Sequence, residues 1–203
     1  MAGIVLLLVA AMGAVLLIRT TRYGLSALDE PTRIEHVLAR AMRHYATPSD
    51  LRGRKNPVPL TQEALAEGRA HFADHCAPCH GNDGKGQTAM GPKFYPKVPD
   101  MTLDETQSQS DGEIFATIEN GIRLTGMPGW GDGSAESAYG SWTLVHFIRH
   151  LPKITEDELS EMQRLNPKTL AEWEALREED AFLAGGENGT REPMPAESKP
   201  HHH

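Results

Sequence analysis

The run from Ala2 to Ile18 carries neither charge nor proline, and beyond it apolar positions recur only at helical spacing. At 1.5 Å per residue this run reaches about 25 Å, close to the ~30 Å hydrocarbon core of a bilayer. It predicts an uncleaved single-pass membrane anchor over 1–22. Tyr23 then falls in the headgroup zone, with Arg19 and Arg22 able to snorkel. A cleaved secretory signal would want a basic stretch ahead of the apolar run, and only the amino terminus supplies charge there.

Asp29, Glu30 and Pro31 read as a helix start. Ile34, Val37, Leu38, Ala41 and Tyr45 follow at helical spacing with Arg33, Arg40 and Arg43 among them, and Thr47-Pro48 stops the pattern. Such a basic amphipathic helix can lie on a membrane, dock on a partner or pack on the next domain. Arg52, Arg54, Lys55 and the prolines Pro57 and Pro59 complete a linker, so 23–59 is helix plus linker.

A compact unit is expected over 60–152. Thr61 caps a helix with Leu65, Gly68, Phe72 and Cys76 on one face. Residues 81–99, rich in Gly, Pro and Lys, read as loop. Asp111 caps a helix carrying Ile114, Phe115 and Ile118, ended by Asn120-Gly121. A further helix spans Ser141–Leu151, with Pro152 ending it. Over 153–184 a helical extension opens on the capping box Thr155–Glu158, and Asn166-Pro167 starts a second piece. Its Leu159, Met162, Leu165, Leu170, Trp173 and Leu176 need a surface to cover. Residues 185–203 have the composition of a disordered tail. Strand alternation is nowhere convincing, and the expected class is all-α.

Charge divides the chain. Residues 1–59 hold eight Lys/Arg against four Asp/Glu, whereas 60–150 and 151–203 each hold six against twelve. An acidic body argues against nucleic-acid binding. The basic N-terminal part suits anionic lipid or an acidic partner.

The chemistry concentrates in Cys76-Ala77-Pro78-Cys79-His80, and these are the only two cysteines of 203 residues. Two thiols separated by two residues, with histidine next, form the attachment signature of a c-type haem. The thiols can add to two vinyl groups along one porphyrin edge, and His80 then lies under the iron as a ligand. A structural zinc site would need more ligands nearby. His71/His75 and His146/His150 share helix faces four residues apart, but neither pair has a third partner. His201–His203 reads as a purification tag or a native His-rich end. The chain has no phosphate loop and no third cysteine for nucleophilic work.

Residues 60–152 resemble a single-haem class I cytochrome c domain, nearest the membrane-associated cytochromes related to haem–copper oxidase subunits. The resemblance rests on Gly68 and Phe72, Cys76–His80, Gly91-Pro92, Pro99–Thr102 and Gly126-Met127-Pro128-Gly129-Trp130. It implies one covalent haem c, with His80 and Met127 as the iron ligands and Met90 and Met101 as rivals. It implies that the Pro92 carbonyl accepts the His80 Nδ1 proton, that Gly68 lets the first helix approach the last closely, against Trp142 or Val145, and that Trp130 closes over the haem edge. A thioether favours ferrous iron and shuts the iron to substrates.

The expected role is one-electron transfer, not catalysis, on the periplasmic side of a bacterial inner membrane. Redox proteins are the expected partners, as subunits of a membrane complex or as transient acceptors. A haem enzyme or gas sensor with an open distal position is the competing class. Arg19 and Arg22 after the span would by themselves favour a cytoplasmic body. The haem signature outweighs two arginines.

Overall fold

The computed structural model describes residues 2–23, 26–168, 172 and 174–178, and every regular element among them is helical. Helix α1 (Ala2–Tyr23) contains the apolar window Ala2–Arg19, with mean hydropathy 2.5 and none of it buried against the rest of the chain. It is long and apolar enough to cross a membrane. Helix α2 (Arg33–Ala46) begins later than the sequence suggested. Thr32, not the Asp29–Pro31 triplet, caps it, in a reciprocal box with Glu35.

The linker expected after α2 is docked. A short helix α3 (Ser49–Arg52) precedes it, and Asn56 then donates its backbone N–H to Asp111 and its side-chain amide to the Trp142 carbonyl. His146 Nε2 lies 2.8 Å from the Val58 carbonyl oxygen, and the Arg54 guanidinium lies 5.8 Å from the Trp142 ring centroid. Charge kept these residues out of the core, but their polar groups tie them to it.

Helix α4 (Gln62–His71) runs into a π-helical turn, Phe72–Cys76, and then α5 (Ala77–His80). Helix α6 (Asp104–Gln107) follows the loop, and α7 (Asp111–Asn120) starts one residue earlier than expected: Ser110 is the cap, boxed with Glu113, and Asp111 is the first helical residue. Helix α8 (Ala135–His150) is longer than the predicted 141–151, because Ser134 caps it a turn and a half upstream. Helix α9 (Glu156–Leu165) opens on the expected Thr155–Glu158 box.

Helices α4 and α8 cross at the centre. A Cβ at Gly68 would overlap the Thr143 carbonyl, so only glycine permits this approach. Phe72, Leu144, Val145, Phe147 and Leu151 fill the core, with Phe115 stacked on Trp142 at 4.0 Å between centroids. Arg149 knits the layers. Its Nε donates to Asp111 at 3.0 Å and its terminal nitrogens donate to the carbonyls of Gln107 and Gln109.

The extension belongs to this core. Met162 is fully buried in the same cluster, and Arg69 of α4 pairs with Glu158 and Glu161 at 3.0 and 2.6 Å. Leu165 and Leu176, expected to be covered, are exposed, and Leu159 is half-buried. Leu170, Trp173 and the 185–203 tail lie outside the described residues.

Candidate functional site

The attachment motif sits where helical regularity breaks. Residues Phe72–Cys76 adopt i→i+5 bonding, and the Ala77 N–H donates to the Phe72 carbonyl. A π turn widens the backbone and offers carbonyls to outside donors. One is used: Asn166, at the end of α9, donates its amide to the Ala73 carbonyl at 3.0 Å. The same side chain exchanges two bonds with Asn82, two residues past His80. The C-terminal helix therefore braces the motif from both sides. Asn82, Asn166 and the π turn had no signature in the sequence.

Burial sets the protonation of His80 and Cys76. Burial holds the His80 imidazole down at about 4, so its ring stays unprotonated. Burial, reinforced by neighbouring Cys79, pushes the Cys76 thiol up to about 12. The rings of Phe72 and His80 lie 6.3 Å apart between centroids. Among the described residues no three His, Cys, Asp or Glu side chains converge as a metal-holding group. His146 and His150 face other partners, the Val58 carbonyl and Glu158 Oε2 at 2.9 Å.

The loop after His80 is fastened to the motif's backbone. Gly86 N–H donates to the His80 carbonyl at 2.7 Å. The Thr88 hydroxyl donates to the Cys79 carbonyl at 3.2 Å and accepts from Gly91 N–H at 2.9 Å. Thr88, which the sequence reading passed over, is thus the link between the Gly91-Pro92 turn and the cysteines. The expected bond from His80 Nδ1 to the Pro92 carbonyl is not formed. That nitrogen is buried without a hydrogen-bond partner, while Pro92 lies exposed in the Gly91–Lys93 3₁₀ turn that Thr88 anchors to Cys79 instead.

The three candidate methionines occupy different surroundings. Met90 is 48% exposed, and Met101, 7% exposed, is a core residue whose carbonyl accepts from Gln107. Met127 is half-buried in a loop laid along the end of α7. Its carbonyl accepts from Ile122 N–H at 3.1 Å and its N–H donates to the Thr125 hydroxyl at 3.1 Å. Trp130 N–H donates to the Ile118 carbonyl, and Gly131 N–H to that of Glu119. Gly121, at φ 64°, makes the turn that brings the loop back, and a Cβ there would meet the Met127 carbonyl at 2.7 Å.

Two contacts join this loop to the motif side. The Trp130 ring meets His75, the neighbour of Cys76, edge-on at 5.4 Å between centroids. The Phe94 ring packs against Gly126. Trp130 thus links the loop that carries Met127 to the segment that carries Cys76.

Residues 63–148 match the family described as cytochrome C oxidase, cbb3-type, subunit III. Over 125 residues, 59% of this chain, the sequence is 30% identical to the cbb3-type cytochrome c oxidase subunit FixP of Rhizobium etli. Over 69 residues, 34% of the chain, it is 42% identical to FixP of Azorhizobium caulinodans. The matches span 36% and 21% of those relatives' lengths. A solved structure, the reducing HAO-like protein complex of Kuenenia stuttgartiensis, aligns over 48% of this chain and 49% of its own, at 20% identity and a TM-score of 0.41.

Proposed function

We propose that this protein, a membrane-anchored class I cytochrome c similar to those of haem–copper oxidases, holds one haem c and passes single electrons within a membrane oxidase assembly. The observation that carries this reading is His80: a half-buried imidazole with its Nδ1 enclosed, held unprotonated by desolvation, directly after two thiols spaced for one porphyrin edge. Bound there, the haem supplies a one-electron iron couple whose potential follows its axial ligands and burial.

The chain's residues do the rest. Cys76 and Cys79 fix the edge of the group, and the π turn with its Asn166 brace fixes the cysteines. Burial keeps the His80 ring unprotonated, so its lone pair is free for a metal at neutral pH. Met127 would be the second residue to hold the iron in this reading, because its loop is pinned to α7 and linked by Trp130 to His75. With His80 and Met127 both holding the iron, no site would be left for a substrate on it, which favours a carrier over a haem enzyme. Helix α1 anchors the chain, and the haem domain stands on the periplasmic face of a bacterial inner membrane.

The test is direct. Protein produced with a c-type maturation system should retain haem after acid–acetone extraction and show the mass of one haem per chain. Reductive titration should follow a one-electron curve, and ferrous protein should not bind carbon monoxide. Haem that extracts freely, or ferrous protein that takes up carbon monoxide at neutral pH, would overturn the reading.

A further inference from the structure

Helix α2 is attached to the acidic domain by its polar side alone. His36 Nε2 lies 2.9 Å from Glu105 and His44 Nδ1 lies 2.7 Å from Glu113, two helical turns apart. Glu35 reaches Tyr95 of the loop after the haem motif, and Lys97 of the same loop donates to the Ala27 carbonyl just before the helix. The apolar side is uncovered: Ile34 is 79% exposed, Leu38 57% and Tyr45 78%, with Val37 and Met42 exposed beside them. On a helical projection these five residues fall within one face opposite His36, with His44 at its border beside Val37.

We propose that this face lies in the bilayer interface, so that α2 is a membrane-surface helix seating the haem domain on lipid. Three observations select lipid as the occupant. The helix follows the membrane-spanning α1 by residues 24–32, which reach at most about 30 Å even when extended. The Ser26–Asp29 turn, closed by Asp29 N–H to the Ser26 carbonyl, shortens that reach. The helix is basic, with Arg33, Arg40 and Arg43 against Glu35, and Glu35 is already engaged by Thr32. Finally, 60–150 is acidic, so anionic headgroups would repel that domain directly. A basic helix between the two, apolar side down and histidine side up, satisfies both surfaces. The haem domain then rides at fixed height and tilt, not on a swinging tether.

The experiment uses the full-length haem protein in nanodiscs of phosphatidylcholine with phosphatidylglycerol. Spin labels are placed singly through Leu38→Cys, Tyr45→Cys and Arg43→Cys, all exposed positions whose exchange leaves the core untouched. Power saturation with oxygen and with a water-soluble nickel chelate reads depth. The labels at 38 and 45 should show an oxygen-to-nickel ratio several-fold above that at 43. In phosphatidylcholine alone the contrast should shrink. Equal, water-like accessibility at all three positions would overturn the proposal. So would labels at 38 and 45 that become shielded only after an oxidase complex is added, which would assign the face to a protein.

Discussion

Helices α2 and α9 look alike in sequence and differ in use. Both are amphipathic, both open on a Thr–Glu capping box, and both flank the haem domain. Helix α9 buries Met162 in the common core and pairs its Glu158 and Glu161 with Arg69. Helix α2 buries no residue and holds on by two exposed His–Glu pairs. Amphipathic periodicity says that a face will be covered; it does not say by what. Shape decides: a single methionine enters the α4–α8 core, whereas a broad face of five exposed apolar side chains suits a surface outside the chain.

The widest gap between the two helices should appear on truncating a methionine in each. Met162→Ala should cost about 2–5 kcal/mol, a buried large-to-small change. Met42→Ala, at an exposed site, should stay within about 0.5 kcal/mol in detergent. Urea unfolding followed by far-UV circular dichroism measures both. Equal losses would erase the distinction drawn between α2 and α9.

A smaller effect is expected where α9 touches the haem motif. Asn166→Ala leaves the Ala73 carbonyl and one side of Asn82 without partners, a loss of about 1–3 kcal/mol. It should also loosen the cysteine segment, seen as faster amide exchange over 72–80. Unchanged exchange there would mean that the brace is incidental.

Acid should separate the helices further. Burial opposes ionisation of Glu158, but bonds from His150 and Thr155 win and hold its carboxyl below the ordinary 4.5. A carboxylate depressed in the folded state adds stability above about pH 4.5 and loses it as pH falls through the folded value. Glu158→Gln should therefore flatten the acid limb of the melting curve. Glu113 is likewise lowered, by Ser110 and His44 against its burial. His44→Ala should remove only the part due to α2, under about 1 kcal/mol for so exposed a pair. Thermal melts from about pH 6 to about pH 3 would sharpen the comparison.

The division between what sequence revealed and what it hid follows physical range. Short-range rules were legible: Thr61 and Thr155 cap their helices, Asn120-Gly121 ends α7, and Gly68 marks the closest helix approach. At α7 the sequence points to Asp111 as the cap, but the hydroxyl of the preceding Ser110 and Glu113 close the box. Ser134 escaped notice because polar and small residues up to Gly140 blur the apolar period of α8. The site's supports were illegible for another reason. Thr88 and Asn166 act through the carbonyls of Cys79 and Ala73, and Asn82 through the Asn166 side chain, and such bonds leave no periodicity. The π turn likewise depends on how α4 must bend to deliver Cys76.

The central claim is that Met127 closes the second side of the haem. In the mature protein Met127→Ala should keep its haem covalently bound, since Cys76, Cys79 and His80 are untouched. Its ferrous form should bind carbon monoxide, which the parent protein should not, and its reduction potential should fall for want of the thioether. Met90→Ala, at an exposed position, should change neither property. Met101→Ala should lower stability while leaving the iron closed. A Met127→Ala protein as inert to carbon monoxide as its parent, at an unchanged potential, would contradict the account.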